Sequence, residues 1–553
     1  MPNTKNEQMT HREIMLVLVG LMSGMFLSAL DQTVVGTAMR TIADDLNGLS
    51  QQAWVTTAYL IVSTVVTPIA GKLSDIFGRR PIYIISIGFF LLGSLLSGLA
   101  DSMMMLAAFR AIQGIGGGGL MSLAFTIIGD MVPPRERARY QGFFIAVFGS
   151  SSVLGPLVGG WFAGVDQIFG ITGWRWVFLI NMPIGAIALF MVWRFLHVPQ
   201  VKHDHKIDWW GVVTVILAVT PLLLVAENGR EWGWGSADSI TCYVLGAVGI
   251  AAFIWAEARM KDAALIPLSL FKSVTFTQLT ILGVLIGFAM FGAMMTIPLF
   301  MQLVIGSTPT ESGIQMLPMV FGMMLATATG GRIISKTGRY KILPIIGTGL
   351  MVFAFSWLSQ INKDSDYVFI MVGMMAVGIG LGLMMQTLTI ASQNAVSARD
   401  IGVATSGATF FRQIGGTLGT AVLFSVLFGR IPDALKDIFS RPETTKSLMT
   451  AMQDPTIAND PKNAAIIDLL KNGASDPGSV SGSLSGDTSF LTGASKQLTA
   501  PFVEGFATAA QSVYSVAIIV AVVAFVLSWF VKAEPLRDKS AMQENLEAQA
   551  SGH

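Results

Sequence analysis

The amino-acid sequence predicts an all-α integral membrane protein with fourteen transmembrane helices. Of its 553 residues, 52% are hydrophobic and only 12% are charged, and the mean hydropathy is +0.63. Soluble domains carry roughly a quarter charged residues, so this chain lacks the polar surface that folding in water requires. A bilayer-spanning helix needs about twenty mostly apolar residues, and such runs recur along almost the whole chain.

The apolar runs place the spans in order. The first eight lie near 14–38, 51–71, 82–100, 104–129, 138–164, 174–196, 209–227 and 238–257. The other six lie near 276–304, 311–332, 342–360, 366–392, 400–427 and 506–531. The first run is too long for a secretory signal peptide, and no clear small-residue cleavage site follows it.

The short loops give the orientation, because Lys and Arg are enriched on the cytoplasmic side of membrane proteins. With the N-terminus inside, the inside loops hold Lys72, Arg79, Arg80, Arg135, Arg137, Arg139, Arg194, Lys202, Lys206, Arg259, Lys261, Lys272, Arg332, Lys336, Arg339, Lys341 and Arg399. The short outside loops hold only Arg40, Arg175, Arg230 and Lys363. We therefore expect both termini to be cytoplasmic.

One connection, residues 428–505, is a long outside segment. Long loops translocate largely regardless of charge, so its seven basic residues do not contradict the orientation. Its first half contains AAIIDLLKN, which predicts short amphipathic helices. Its second half, SDPGSVSGSLSGDTS, has the composition of a flexible linker.

A weak internal repeat divides the chain. The loop GKLSDIFGRRP (71–81) follows the second span, and GGRIISKTGRYK (330–341) follows the tenth. Repeats at equivalent places are typical of transporters built from two similar halves. We expect an N-terminal tail at 1–13, a six-helix bundle at 14–196, a linker with two extra helices at 197–275, a second six-helix bundle at 276–531 and a C-terminal tail at 532–553.

Several motifs make this resemblance specific. GKLSDIFGRRP resembles the loop between the second and third helices of the major facilitator superfamily, and LDQTVVGTAM (30–39) resembles the first-helix motif of its fourteen-helix drug:proton antiporter branch. LAAFRAIQGIGGG (106–118), GSSSVLGPLVGGW (149–161) and WRWVFLINMPIG (174–185) are similar to motifs of the fourth, fifth and sixth helices. The resemblance is dense over 14–196, thinner over 276–427 and absent over 428–505.

The resemblance implies a major facilitator fold and proton-driven export of drugs across a bacterial cytoplasmic membrane. It also implies gating by the first loop, at Gly71, Asp75, Gly78, Arg79 and Arg80. The fifth-helix motif, with Gly155, Pro156, Gly159 and Gly160, accompanies exporters rather than importers. In physical terms, small residues allow close helix packing and an internal proline bends the helix.

Asp31 is the first candidate for proton coupling. It lies about 25 Å along the helix from residue 14, on one face with Gly24, Ser28 and Val35. An acid on a small, polar face is expected to point at a cavity rather than at lipid, where it can bind and release protons. The alternative is a neutral or paired acid that only bonds neighbouring helices.

Arg110 lies at a similar depth, roughly 9 Å below the outer end of the fourth span. It shares a face with Gln113, Gly114 and Gly117. The resemblance implies that this arginine takes part in proton transfer or sets the protonation of the acid. The alternative is that its side chain extends to the outer headgroups.

Other candidates concern the substrate. Arg412 lies about 16 Å into the thirteenth span, where coupling, substrate contact and interhelical bonding are all open. Trp54, Tyr59 and Gln113 are candidates for lining a substrate cavity. Aromatic and methionine side chains suit lipophilic cations, although most of them pack against lipid or protein.

The sequence also excludes several classes of function. The string GIGGGG (114–119) lies inside a membrane span with no strand before it, so no nucleotide site is expected. One cysteine, Cys242, excludes an internal disulfide, and the net charge of +1 gives no case for nucleic acid. We expect neither an enzyme nor a metal or other cofactor, and a proton gradient as the energy source.

We therefore expect a monomeric exporter whose partners are protons, membrane lipids and small amphiphilic compounds, many of them cationic. An exporter of one physiological solute, such as a lipid, siderophore or amino acid, is the nearest alternative on the same scaffold. A membrane receptor that binds a partner through 428–505 is an alternative from another class.

Overall fold

The computed structural model describes residues 11–47, 51–196, 207–473, 494–537, 539–540 and 542–544. The predicted N-terminal tail, the start of the linker, the Ser- and Gly-rich part of the long loop and the end of the C-terminal tail lie wholly or partly outside these residues. The described chain is almost entirely helical, which confirms the all-α prediction.

Seven helices occupy the region of the first six predicted spans. They are α1 His11–Asp45, α2 Gln52–Phe77, α3 Arg79–Gly98, α4 Met103–Met131, α5 Pro134–Ala163, α6 Trp176–Leu179 and α7 Asn181–Phe195. Between α5 and α6, β1 Gln167–Ile168 and β2 Ile171–Thr172 form an antiparallel hairpin. Its turn residues, Phe169 and Gly170, both have positive φ, as a tight two-residue hairpin requires.

The remaining helices follow the predicted order. The inserted pair is α8 Trp209–Trp232 and α9 Ala237–Met260. The second bundle contains α10 Val274–Phe300, α11 Pro309–Gln315, α12 Leu317–Thr337, α13 Ile342–Leu358, α14 Tyr367–Asn394, α15 Ile401–Phe439 and α19 Lys496–Phe530. The long loop contributes α16 Pro442–Gln453, α17 Pro455–Ala458 and α18 Ala464–Gly473.

All fourteen predicted spans fall on helices. Within the described chain, thirteen helical segments are long and apolar enough to cross a membrane. The fourteenth, α13, has 17 residues, so it is about 25 Å long and slightly shorter than a bilayer core. The predicted amphipathic helix AAIIDLLKN is α18. The last span begins ten residues earlier than predicted, because polar residues of 496–505 form the first turns of α19.

Prolines interrupt three predicted spans. Pro183 has no N–H to donate, and α6 is separated from α7 at Ile180. Pro318 lies beside the break between α11 and α12 at Met316. Pro298 precedes the turn Met301–Ile305, where the helix widens to π geometry before Gly306 ends it in the left-handed conformation.

The buried apolar residues form separate cores. Two clusters draw only on residues 14–196, and the largest draws on residues 279–536. A fourth cluster joins the inserted pair to both regions, since Val215 and Leu223 of α8 pack with Ile61 of α2 and Phe410 of α15. The inserted helices thus lie against the seam where α2 meets α15.

Candidate functional site

The structure brings Asp31 and Arg110 together inside the first bundle. Arg110 of α4 donates through Nη1 to Asp31 Oδ2 of α1, in an ion pair whose side chains are 2% and 0% exposed. Arg110 Nη1 also donates to Gln113 Oε1 at 2.7 Å. The similar depths predicted for the acid and the base therefore correspond to direct contact.

Two amides complete the surroundings of Asp31. Gln113 Nε2 and Asn181 Nδ2 donate to Asp31 Oδ1 at 2.9 and 2.8 Å. Both amides also donate to the Ser94 hydroxyl, which itself donates to the carbonyl of Phe178 at 2.9 Å. The carboxylate accepts three donors and gives none, which is the arrangement of an ionised acid.

Tyr59 closes this network from α2. Its ring lies under the Arg110 guanidinium at 4.3 Å, and its hydroxyl is 2.9 Å from the Ser28 hydroxyl. Trp54 lies half-buried in a separate apolar cluster. Of the three predicted cavity-lining residues, Tyr59 and Gln113 are thus fully buried around the ion pair in this conformation.

The predicted gating loop forms a compact ion cluster. Arg79 pairs with Asp75, with Asp130 of α4 at 2.6 Å and with the Ser74 hydroxyl at 2.6 Å. Gly78 separates α2 from α3 with a φ of +97°, a conformation that favours glycine. Arg80 donates to the carbonyl of Trp193 at 2.5 Å, a contact within the first bundle.

The second bundle packs directly on this cluster. A Cβ added to Gly402 of α15 would overlap Asp75 and approach Arg79, and one added to Gly71 would overlap Ser406 of α15. The backbones of α2 and α15 therefore approach each other as closely as glycine allows, at the end of α2 and the beginning of α15. This end of the molecule, which the basic loops predict to be cytoplasmic, is closed here.

Helix α5 carries the predicted antiporter motif between the two bundles. Gly155 and Gly159 face α1, where an added Cβ would overlap Thr33 or lie 2.6 Å from the carbonyl of Val34. Pro156 and Gly160 face the other bundle, near Gly313 and Thr310 respectively. One face of the motif therefore packs against α1, the helix that carries Asp31, and another face lies towards α11.

A second polar contact joins the bundles beside the gating loop. Arg137 of α5 is 1% exposed and donates to Gln393 Oε1 of α14 at 2.7 Å. Gln393 Nε2 donates to the carbonyl of Phe125 at 3.1 Å and to the Thr405 hydroxyl at 2.9 Å. In the sequence, Arg137 is only an orientation signal, and a single glutamine at the end of an apolar run carries no signal at all.

Arg412 lies apart from these networks. It borders a small cavity in the second bundle with residues of α10 and α14.

The roles of Asn181 and Ser94 were not predicted, although Asn181 lies within the motif WRWVFLINMPIG. An asparagine just before Met-Pro is equally typical of a helix start, so only the fold shows which residue it bonds.

Comparisons with known proteins identify the family. Residues 21–420 match the Major Facilitator Superfamily. The chain belongs to this superfamily. It is 41% identical over 425 residues to the Multidrug transporter protein MdtP of Bacillus subtilis, covering 76% of this chain and 77% of that protein. It is 38% identical over 425 residues to Multidrug resistance protein 3 of the same organism, covering 77% and 81%.

Solved structures show the same major facilitator fold. The proton:xylose symporter XylE aligns with a TM-score of 0.58 at 16% identity, covering 97% of this chain and 99% of that one. A bacterial homologue of the human lysosomal transporter Spinster, inward-facing and unoccupied, aligns with a TM-score of 0.57 at 18% identity, covering 95% and 100%. The protein is a multi-pass membrane transporter of this superfamily rather than an enzyme.

Proposed function

We propose that this transporter exports lipophilic compounds, many of them cationic, in exchange for protons. The observation that carries the proposal is the buried Asp31, held by Arg110, Gln113 and Asn181. A buried ionisable pair is energetically costly in a membrane protein, and its presence therefore indicates a function. The relatives named as a multidrug transporter and as a multidrug resistance protein support the choice of substrates.

The geometry suggests how a proton changes the network. A neutral carboxyl no longer attracts Arg110 as an ion and has one O–H group to donate. Asn181 Oδ1 is a buried acceptor with no partner among the described residues, and it lies on the amide that contacts Asp31. Protonation would therefore replace the Arg110 ion pair with a hydrogen bond between neutral groups. This exchange would weaken the contact between α1 and α4.

Alternating access connects this event to transport. Asp31 would take a proton when the site opens outwards and release it when the site opens to the cytoplasm. The gating loop and the Arg137–Gln393 contact would keep the cytoplasmic end closed in one state. In the other state these contacts would separate. No metal or other cofactor is needed, and we propose a monomer in a bacterial cytoplasmic membrane with both termini inside.

Transport by vesicles tests the proposal. Inside-out membrane vesicles containing the protein are loaded with acid, and uptake of ethidium, a lipophilic cation, is followed by fluorescence. We expect uptake that collapses when the proton gradient is removed, and its loss in the Asp31→Asn variant. Asp101→Asn is the matched control, because Asp101 is exposed and pairs only with Arg175 at 3.4 Å among the described residues.

Gradient-driven uptake that survives intact in Asp31→Asn would overturn the assignment of proton coupling. Breadth of substrate is tested separately, by growth of a pump-deficient bacterial host on chemically unrelated toxic compounds. Protection against several classes supports multidrug export, and protection against none supports an exporter of one physiological solute.

A further inference from the structure

The cavity beside Arg412 is built from three helices of the second bundle. It is lined by Leu279 and Gly283 of α10, by Leu388, Thr389 and Ser392 of α14, and by Thr405, Ala408, Thr409 and Arg412 of α15. The α15 residues recur at spacings of three and four, so they form one helix face. The cavity has room for about one water-sized molecule.

The charge of Arg412 is not balanced by the surrounding protein. Among the described residues it has no ion pair and no hydrogen bond. Helices α10 and α14 contain no Asp or Glu at all. The nearest acids along the chain are Asp400, just before α15, and Asp433 in α15, about 18 and 32 Å from Arg412 along the helix axis. The Arg412 side chain is half-buried, and a cation partly removed from water without a counter-charge is destabilising.

Ser392 is a second group in this cavity without a partner. Its side chain is 1% exposed, and its hydroxyl makes no hydrogen bond with any described residue. The threonines nearby differ, because each donates its hydroxyl to a helix carbonyl, at 2.9 Å for Thr389, 2.6 Å for Thr405 and 2.9 Å for Thr409. The cavity therefore combines a buried hydroxyl donor without a partner, on Ser392, with a half-buried guanidinium without a counter-charge, on Arg412.

These two donors define the chemistry of a guest. A cation would be repelled by Arg412, and a neutral water would satisfy Ser392 but leave the positive charge unbalanced. A small anion meets both needs at once, because it accepts from the hydroxyl and neutralises the guanidinium. We propose that this cavity is a binding site for one small monovalent anion, held by Arg412 and Ser392.

Two sources supply this chemistry. One is a free halide such as chloride, a single atom somewhat larger than a water molecule. The other is the carboxylate of a transported compound whose remaining atoms extend towards the space between the bundles. The inference goes beyond the proposed proton coupling, because Asp31 and its partners lie in the other bundle and do not border this cavity.

Thermal unfolding of the purified protein tests the site. Sodium chloride, sodium bromide or sodium formate is titrated against sodium gluconate, whose anion is too large for the cavity, at constant ionic strength. We expect a saturable rise of roughly 2–5 °C in the unfolding temperature with at least one of the small anions. A rise with halide assigns a free-ion site, and a rise with formate alone assigns a site for the carboxylate of a substrate.

Variants tie the effect to the two donors. In Arg412→Gln the anion-dependent rise disappears, and in gluconate this variant is at least as stable as the wild type, because a cation without a protein counter-charge has been removed. In Ser392→Ala the apparent dissociation constant rises about tenfold, which corresponds to about 1.4 kcal/mol of binding free energy, because the anion loses one of its two donors. Arg430→Gln, which changes an exposed arginine of the same helix paired with Asp433, keeps the full response.

Three results would overturn the proposal. The first is a wild-type protein whose unfolding temperature does not depend on any of the three small anions. The second is an unchanged anion response in Arg412→Gln or in Ser392→Ala. The third is an Arg412→Gln variant that is less stable than the wild type in gluconate, because that would show a protein partner that already balances the charge.

Discussion

At the scale of single residues, the Asp31 network explains how an acid is tolerated deep in a membrane protein. Removing an isolated carboxylate from water costs several kcal/mol, and only close partners offset this cost. Asp31 has an arginine on one oxygen and two amides on the other. The acid is therefore stable while ionised, and a proton changes the contacts of three helices at once.

Asn181 is predicted to position Asp31, although it carries no charge. The Asn181→Ala variant removes the donor that lies 2.8 Å from Asp31 Oδ1. Because a hydrogen bond to a charged group contributes about 1.5–3 kcal/mol, we expect proton-driven dye transport to fall about tenfold or more. Initial rates in vesicles at equal protein levels measure this effect.

The matched control is Asn228→Ala. Asn228 is also a buried asparagine in a membrane helix, but it donates to the carbonyl of Leu224 in its own helix at 2.9 Å. We expect near-normal transport in this variant. Equal losses in the two variants would show that Asn181 contributes only to stability.

The sequence predicted the charged members of this network better than the neutral ones. Asp31 and Arg110 are conspicuous because ionised groups are rare in apolar runs, and their positions along the helices predicted similar depths. Ser94 and Asn181 are ordinary residues in membrane helices, so nothing in their spacing pointed to Asp31. Their role follows from the way α7 packs against α1 and α3 packs against α4 and α7, which one sequence does not specify.

At the scale of helices, the four motif residues of α5 have two different surroundings. Gly155 and Gly159 have no room for a side chain against α1. Gly160 is open, because the nearest atom to an added Cβ is Thr310 Oγ1 at 3.9 Å. The sequence presented these glycines as one motif, and the structure separates a packing face from a face towards the other bundle.

This difference predicts opposite outcomes for the same chemical change. Gly155→Ala forces α5 away from Thr33 and the Asp31 helix, which overpacks the contact at a cost of about 1–3 kcal/mol. We expect a lower unfolding temperature and reduced dye transport. Gly160→Ala adds the same methyl group where there is space, and both quantities should stay close to the wild type.

Thermal unfolding and vesicle transport of the two variants measure these effects side by side. A Gly155→Ala protein as active and stable as Gly160→Ala would contradict the close packing of α5 on α1.

The helix order was predictable from apolar length alone. The breaks at Ile180 and Met316 were not, because a proline near a span end is compatible with either a kink or a full interruption.

At the scale of the whole molecule, polar contacts close the predicted cytoplasmic end. Gln393 bonds Arg137 and the carbonyl of Phe125, both in the first bundle. The C-terminal segment adds support, since Arg537 donates to the carbonyls of Gln393, Asn394 and Val396.

The tail is also held at Tyr340. Its phenol accepts from the Glu534 amide at 2.8 Å, and burial raises the pKa of Tyr340, so this phenol stays neutral. The start of the predicted C-terminal tail is therefore part of the closed end rather than a free extension.

Gln393→Ala is predicted to open this end. The variant removes two hydrogen bonds between the bundles and leaves a buried guanidinium of Arg137 short of one partner. We expect a shift towards the open state of at least about tenfold, because each 1.4 kcal/mol changes such an equilibrium tenfold.

The shift can be measured by labelling. In a Cys242→Ser background, the buried Ser406 at the Gly71 contact is replaced by cysteine, and its rate of reaction with a maleimide is followed. Gln393→Ala should raise this rate. Gln360→Ala, whose amide donates only to the carbonyl of Ser356 among the described residues, should not. Equal rates in both variants would contradict a closing role for Gln393.

The central claim is that Asp31 carries the exchanged proton, and proton release on substrate binding tests it most directly. Purified protein in a weakly buffered detergent solution is mixed with ethidium, and proton release is followed with a pH-sensitive dye while ethidium binding is measured in parallel. We predict release from the wild type and from Asp101→Asn, and none from an Asp31→Asn variant that still binds ethidium. Release from Asp31→Asn equal to that of the wild type would contradict the account.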